Sequence, residues 1–196
     1  MSKSDSSDAN KQRSKTIRWV ITIFIVTIFI SGTISLVSEE IMADSSIPVA
    51  FLILLAIVLI GILFDVVGVA VTSADEAPFH AMAARKVPGS HESIKLLRNA
   101  EKVGSICNDV IGDICGVISG SASATIAAQV IANSRFDNIR LMVLIMSSLV
   151  AGFTVGGKAI GKRFAIHSCT TIVFTVGKII NWFGGLFRIF SKDKSK

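Results

Sequence analysis

The sequence predicts an all-α integral membrane fold with four transmembrane helices, short juxtamembrane helices and a C-terminal amphipathic interfacial helix. Three observations carry this. Of 196 residues, 51% are apolar and only 17% are charged, too apolar a balance for a soluble domain of this length. The apolar residues gather into runs of about 20 or more, the length a hydrocarbon core requires. Finally, the basic residues flank those runs and crowd one side of the predicted topology.

Residues 1–16 are rich in Ser, Asp, Asn and Lys, lack an apolar period, and read as a disordered tail. Ile17 to Val37 forms the first span, an additional N-terminal helix with Trp19 as an interfacial anchor. It has no small-residue cleavage site and suits a retained span better than a signal peptide. The link Ser38 to Ser46 carries Glu39, Glu40 and Asp44 and no base. Ile47 to Val71 is the second span and contains Asp65.

A polar, basic segment follows from Thr72 to about Lys102. Ser73 with Glu76 three residues on, then Pro78, reads as a capped helix start. Val87-Pro88-Gly89-Ser90 breaks that helix, and Ser90 can cap a second one. The third span, Val103 to Ile131, contains Asn108, Asp109 and Asp113. A tight turn at Asn133 to Asn138 leads to the fourth span, Ile139 to about Ile160.

The last apolar stretch, Phe164 to Phe190, has a different pattern. Ile166, Val173, Val176, Ile180, Phe183, Phe187 and Phe190 recur every three to four residues, while His167, Thr171, Lys178, Asn181 and Arg188 fall mostly between them. Crossing the bilayer would place Lys178 at its centre, which is costly. A helix lying in the membrane surface is the cheaper solution, with 191–196 as a basic tail. Four spans place both termini and most Lys and Arg in the cytoplasm, Arg135 and Arg140 lying on the opposite side. They make the chain a multi-pass protein of the cell (plasma) membrane.

Several function classes find no support. The net charge of +6 is spread along membrane flanks without interleaved aromatics, so nucleic acid is not an expected partner. Cys107, Cys115 and Cys169 form no CxxC pair, and His80, His91 and His167 lack zinc-ligand spacing. No nucleophile constellation or phosphate-binding glycine loop occurs, so the chain is not expected to be an enzyme or to carry an organic cofactor.

The intramembrane acids are the informative residues. A charge at the bilayer centre costs about 2.5–3.5 kcal/mol on insertion scales and needs a partner or a watery cavity. Asp109 and Asp113 are four residues apart on one helix face, with Asn108 beside them. Asp65 and Asp113 each lie roughly 12–15 Å from the cytoplasmic end of antiparallel spans. Asp65, Asn108, Asp109 and Asp113 therefore form a candidate cation site of carboxylate and amide oxygens, suited to a hard ion such as Mg²⁺ that keeps part of its water. The competing reading leaves the acids protonated or paired with a base, Lys158 being the nearest candidate. Gly112, Gly116, Gly120, Ala124, Ala128 and Ala132 recur every four residues. This row, like Gly152/Gly156 and Gly157/Gly161, lets another helix approach closely, within the chain or in a dimer.

From Asp65 to Phe190 the chain resembles the transmembrane domain of the CNNM/CorB/CorC magnesium-transport family. The resemblance rests on Ala70-Val71-Thr72-Ser73, on Leu96-Leu97-Arg98-Asn99-Ala100-Glu101-Lys102, on Cys107-Asn108-Asp109, similar to the family's Gly-Asn-Asn, and on Gly157-Lys158-Ala159-Ile160-Gly161-Lys162. It implies residues 47–190 as one such domain, a belt of juxtamembrane helices, a homodimer, and Mg²⁺ movement with Na⁺ as a coupling ion. Two departures stand out. Asp65-Val66-Val67-Gly68 replaces the family's Ser-Gly-x-Glu, and Lys158 stands at a family Glu. No nucleotide-binding CBS pair follows, so regulation by bound ATP is not expected. The expected function is a divalent-cation transporter or exchanger. The alternative is a non-transporting membrane scaffold or subunit whose buried acids pair with Lys158.

Overall fold

The computed structural model describes residues 3–43, 45–132 and 138–192, with side chains described for 17–42, 45–132, 138 and 140–183. Its helices are α1 (Lys3–Ala43), α2 (Ile47–Ser73), α3 (Ala77–Ala84), α4 (Ser90–Arg98), α5 (Ala100–Ser105), a π segment (Ile106–Gly112), α6 (Asp113–Ala132), α7 (Ile139–His167) and α8 (Cys169–Lys192). Four stretches are long and apolar enough to cross a membrane: Ile17–Met42, Ile47–Ser73, Ala100–Ala132 and Arg140–His167. They match the four predicted spans.

α2 is the hub, packed against α7, α6 and the π segment. Pro48 sits in its first turn, where a missing N–H costs no helical hydrogen bond, and Ala74 ends it in extended backbone. Three apolar clusters run along the bundle. Met42, Ala50, Leu54, Val58, Ala122 and Ile126 close one end. Val110, Ile114 and Ile118 form the middle, with Ile23 and Ile57 against them. Ala70, Val71, Phe79, Ile94, Leu97, Ala165 and Val173 join α2, α3, α4, α7 and α8 at the basic end.

The outward face is as apolar as the interior. Phe29 on α1 is 71% exposed, Leu52 on α2 68%, and Phe153 and Ile160 on α7 75% and 76%. Such a continuous apolar belt is consistent with a multi-pass membrane protein. α1 packs mainly on α6, and its distal end is tied there by Gln129 Nε2 donating to Met42 O at 2.7 Å.

Several boundaries differ from those the sequence predicts. α1 is helical from Lys3, where composition predicts a disordered tail. Ala9, Lys11, Gln12, Arg13 and Lys15 are good helix formers, and helix propagates readily from an established span. Ser73 closes α2 instead of capping α3; α3 begins after Glu76, whose carboxylate pairs with His80 at 3.1 Å. Gly89, with φ 91°, precedes α4, and Ser90 is its first residue, with Oγ donating to Val87 O at 2.6 Å. α7 runs past Ile160 to His167, because Ala165 is buried in the end cluster, and the break falls at Ser168. Phe164 and Ile166 thus belong to α7, not to the amphipathic helix. The predicted turn at 133–138, apart from Asn138, lies outside the described residues, as do Asp44 and 193–196. The side chains of Phe187, Arg188 and Phe190 lie outside them too. Asn138 is described and caps α7 by accepting from Leu141 N at 3.4 Å.

Candidate functional site

The third span is not a uniform α-helix. Between Ser105 and Asp113 it widens into the π segment, which carries Cys107, Asn108 and Asp109. Such single-turn expansions are frequent at functional sites, since they displace one residue from the regular ladder. This one faces α2 at its most polar point.

Asp65 on α2 is buried, with 3% of its surface exposed. Its Oδ2 has no hydrogen-bond partner among the described residues; the nearest cation is Lys162 Nζ on α7, at 3.7 Å. That separation makes an ion pair but exceeds a hydrogen bond. Asn108 Oδ1 is likewise buried without a hydrogen-bond partner. It packs against Gly68, where a Cβ would collide with Asn108 Oδ1 and lie 3.0 Å from Cys107 Cβ. Gly68 follows Asp65 by three residues and so lies near the same α2 face. One turn after Asn108, Gly112 lies against Asp65: a Cβ there would be 3.8 Å from Asp65 Oδ1 and 3.2 Å from Lys158 Nζ. Glycine at 68 and 112 therefore admits an amide, a carboxylate and an ammonium into a tight helix crossing.

The other two predicted ligands turn away. Asp109 is exposed and accepts a hydrogen bond from Ser105 Oγ at 2.9 Å on its own helix. Asp113 has a side chain 74% exposed and meets Lys158 Nζ at 3.9 Å. Among the described residues, no three His, Cys, Asp or Glu side chains converge closely enough to hold a metal ion. The four-residue site is thus divided: the structure brings Asp65 and Asn108 to one interface and leaves Asp109 and Asp113 outside it. The reason is rotation along the helix. Asn108 and Gly112 face α2, and each acid comes one residue later, about a quarter turn around the axis.

Lys158 is largely buried on α7, and its ammonium donates to Gly112 O at 3.2 Å. Lys162 sits one turn further and was not among the predicted site residues. The spacing Lys158/Lys162 is the signal for it, because residues four apart share a face. The α7 lysines thus reach two acids on two helices, Asp113 on α6 and Asp65 on α2. Beside them a cavity of about 480 Å³ opens between α6 and α7, lined by Gly116, Gly120, Ser147 and Thr154 and ending at Asp113 and Lys158.

The small-residue rows serve two purposes. Gly157 packs on Ile62 of α2, and Gly161 on Val66. At Gly116, Gly120, Gly152 and Gly156 a Cβ would have no described neighbour within 4 Å, so packing within the chain does not explain them.

Compared with protein-family models, curated proteins and solved structures, the chain matches none.

Proposed function

We propose that this chain is a multi-pass plasma-membrane protein that moves divalent cations, Mg²⁺ foremost, with Asp65 and Asn108 as the principal ligands of the ion or its water shell. The observation that carries this reading is the pair of buried oxygens, Asp65 Oδ2 and Asn108 Oδ1, that have no hydrogen-bond partner among the described residues where α2 meets the π segment. Buried polar groups are nearly always satisfied, and an exception calls for an explanation such as an ion. A carboxylate and an amide carbonyl are ligands that hard cations accept, and Mg²⁺ would complete its shell with water. The resemblance to the CNNM/CorB/CorC domain supports the same assignment. A homodimer accounts for the open glycine faces of α6 and α7.

Metal-dependent unfolding of the purified protein in detergent tests this reading. Mg²⁺ at a hundred times its dissociation constant should stabilise the wild type by about 2.7 kcal/mol. Asp65→Asn and Asn108→Ala should lose most of that gain. Equal gains in wild type and both variants, or none in any, would remove the reading.

A second reading, a non-transporting scaffold, draws on the pairs Lys158–Asp113 and Lys162–Asp65. Both are loose, and Asp113 is mostly exposed, so they supply little fixed structure. In that reading Lys158→Ala lowers stability and adds no metal response.

The membrane setting has its own test, through α8. Val173 and Gly177 face the protein, while Ile179, Ile180, Trp182 and Phe183 are exposed beside Lys178, whose ammonium lies 4.5 Å from the Phe174 ring centre. This suits a helix lying at the headgroup level. Trp182 is one of two tryptophans, so Trp19→Phe isolates it. Its fluorescence should be quenched more by lipids brominated near the headgroup than by lipids brominated near the chain ends. The reverse order would place α8 across the bilayer.

A further inference from the structure

The cation-site reading leaves one group unexplained, a lysine ammonium inside the polar centre. Lys158 lies on α7 nine residues before its end at His167, so its backbone is well inside the span. Its Nζ and the Asp65 Oδ1 both come within 4 Å of a single point, the place a Cβ on Gly112 would occupy. Lys158 thus shares with Asp65 the space that a bound ion would require. Its single hydrogen bond among the described residues goes to a backbone carbonyl, Gly112 O. Its approach to a carboxylate, Asp113 Oδ1, is at 3.9 Å, and the companion Lys162 stands 3.7 Å from Asp65.

We infer that Lys158 is a tethered counter-cation: its ammonium stands in for the ion at the meeting of α2, the π segment and α7, and an incoming divalent cation exchanges with it. This rests on the cation-site reading and adds what regulates it. Three features suit exchange. Neither acid is hydrogen-bonded by a lysine, so displacement breaks only one hydrogen bond, to a carbonyl that can itself turn to the cation. The lysine side chain is a point charge on a flexible four-carbon stem and can move without unwinding α7. The α6/α7 cavity also adjoins Lys158, and Ser147 and Thr154 are among the residues lining the space into which the ammonium can withdraw. Charge sets the direction. Lys158 Nζ and Asp65 Oδ1 flank one point at the crossing, so withdrawing Lys158 removes a positive charge from beside the buried carboxylate and makes room for a dication.

The test compares Mg²⁺ titrations of thermal unfolding for wild type, Lys158→Met and Lys158→Arg, together with amine labelling of the wild type. Lys158→Met keeps the length and removes the charge, and should bind Mg²⁺ at least about tenfold more tightly, while Lys158→Arg should bind no more tightly than wild type. In the wild type, Mg²⁺ should raise the labelling of Lys158, read by peptide mass spectrometry, a response that a purely structural lysine would not give. If Lys158→Met fails to fold, the labelling decides the question. A Mg²⁺ midpoint unchanged in Lys158→Met, or labelling insensitive to Mg²⁺, overturns the exchange while leaving the cation site standing. Absence of any Mg²⁺ response in wild type and in Lys158→Met overturns both.

Discussion

Gly177→Val is expected to detach α8 from α4 and to destabilise the basic end of the bundle by about 2–4 kcal/mol, through overpacking and a lost buried hydrogen bond. A Cβ at Gly177 would collide with Ser93 Oγ and come within 2.6 Å of Gly89 O and 3.1 Å of Ser93 N. Two of these are backbone atoms and cannot rotate aside. Gly89 is equally constrained from the other side: its φ is 91°, and a Cβ there would meet Lys178 N at 2.8 Å. Ser93 Oγ locks the contact, its one proton reaching Gly89 O at 2.9 Å with Val173 O at 3.3 Å as the alternative acceptor. With α8 displaced, Val173 would leave the cluster it shares with Phe79, Ile94 and Leu97. Unfolding in detergent should show the loss, and limited proteolysis should cut earlier near Ser168. Thr175→Val, at an exposed position of the same helix, is the control and should behave as wild type. Wild-type melting of Gly177→Val would mean that α8 is not held by this crossing.

The sequence made this helix legible as an element but not its seat. Its apolar period separates α8 from the four predicted spans, yet Phe164, Ala165 and Ile166 continue that apolar character backwards, so the break at Ser168 leaves no compositional trace. The four spans were readable because bilayer thickness imposes a length that few soluble helices share. Pro78 marked a true first turn, whereas Ser73 and Ser90 did not mark caps, since Glu76 and Gly89 took those positions. The site was half legible. Depth counting on antiparallel helices set Asp65 level with Asp113, whereas at the crossing Asp65 lies beside Gly112 and Asn108 beside Gly68. The π segment could not be read, because Asn108, Asp109 and Asp113 are too few and too closely spaced to define a stripe whose slip would reveal an extra residue. Four-residue spacing put Asp109 and Asp113 on one face, but only the fold could show that this face is not the one turned to α2.

That division ranks the acids for transport. In proteoliposomes loaded with a Mg²⁺ indicator, Asp65→Ala should slow Mg²⁺ entry at least about tenfold, equivalent to about 1.4 kcal/mol of lost cation stabilisation. Two unit charges 4 Å apart interact by about 4 kcal/mol at the effective dielectric of a protein surface, more than enough for a loss of this size. Asp65 is the carboxylate buried at the α2 crossing, and its removal leaves Lys158 and Lys162 facing the incoming dication without their nearest buried counter-charge. Asp109→Ala removes an exposed group already bonded to Ser105, and should cost only a small fraction of the rate. Asp65→Ala combined with Asp109→Ala should then be little worse than Asp65→Ala, because only one of the two acids lies at the crossing. Wild-type flux through the double variant would end the transport reading. Slow flux in Asp109→Ala with normal flux in Asp65→Ala would move the site to the outer face of the π segment.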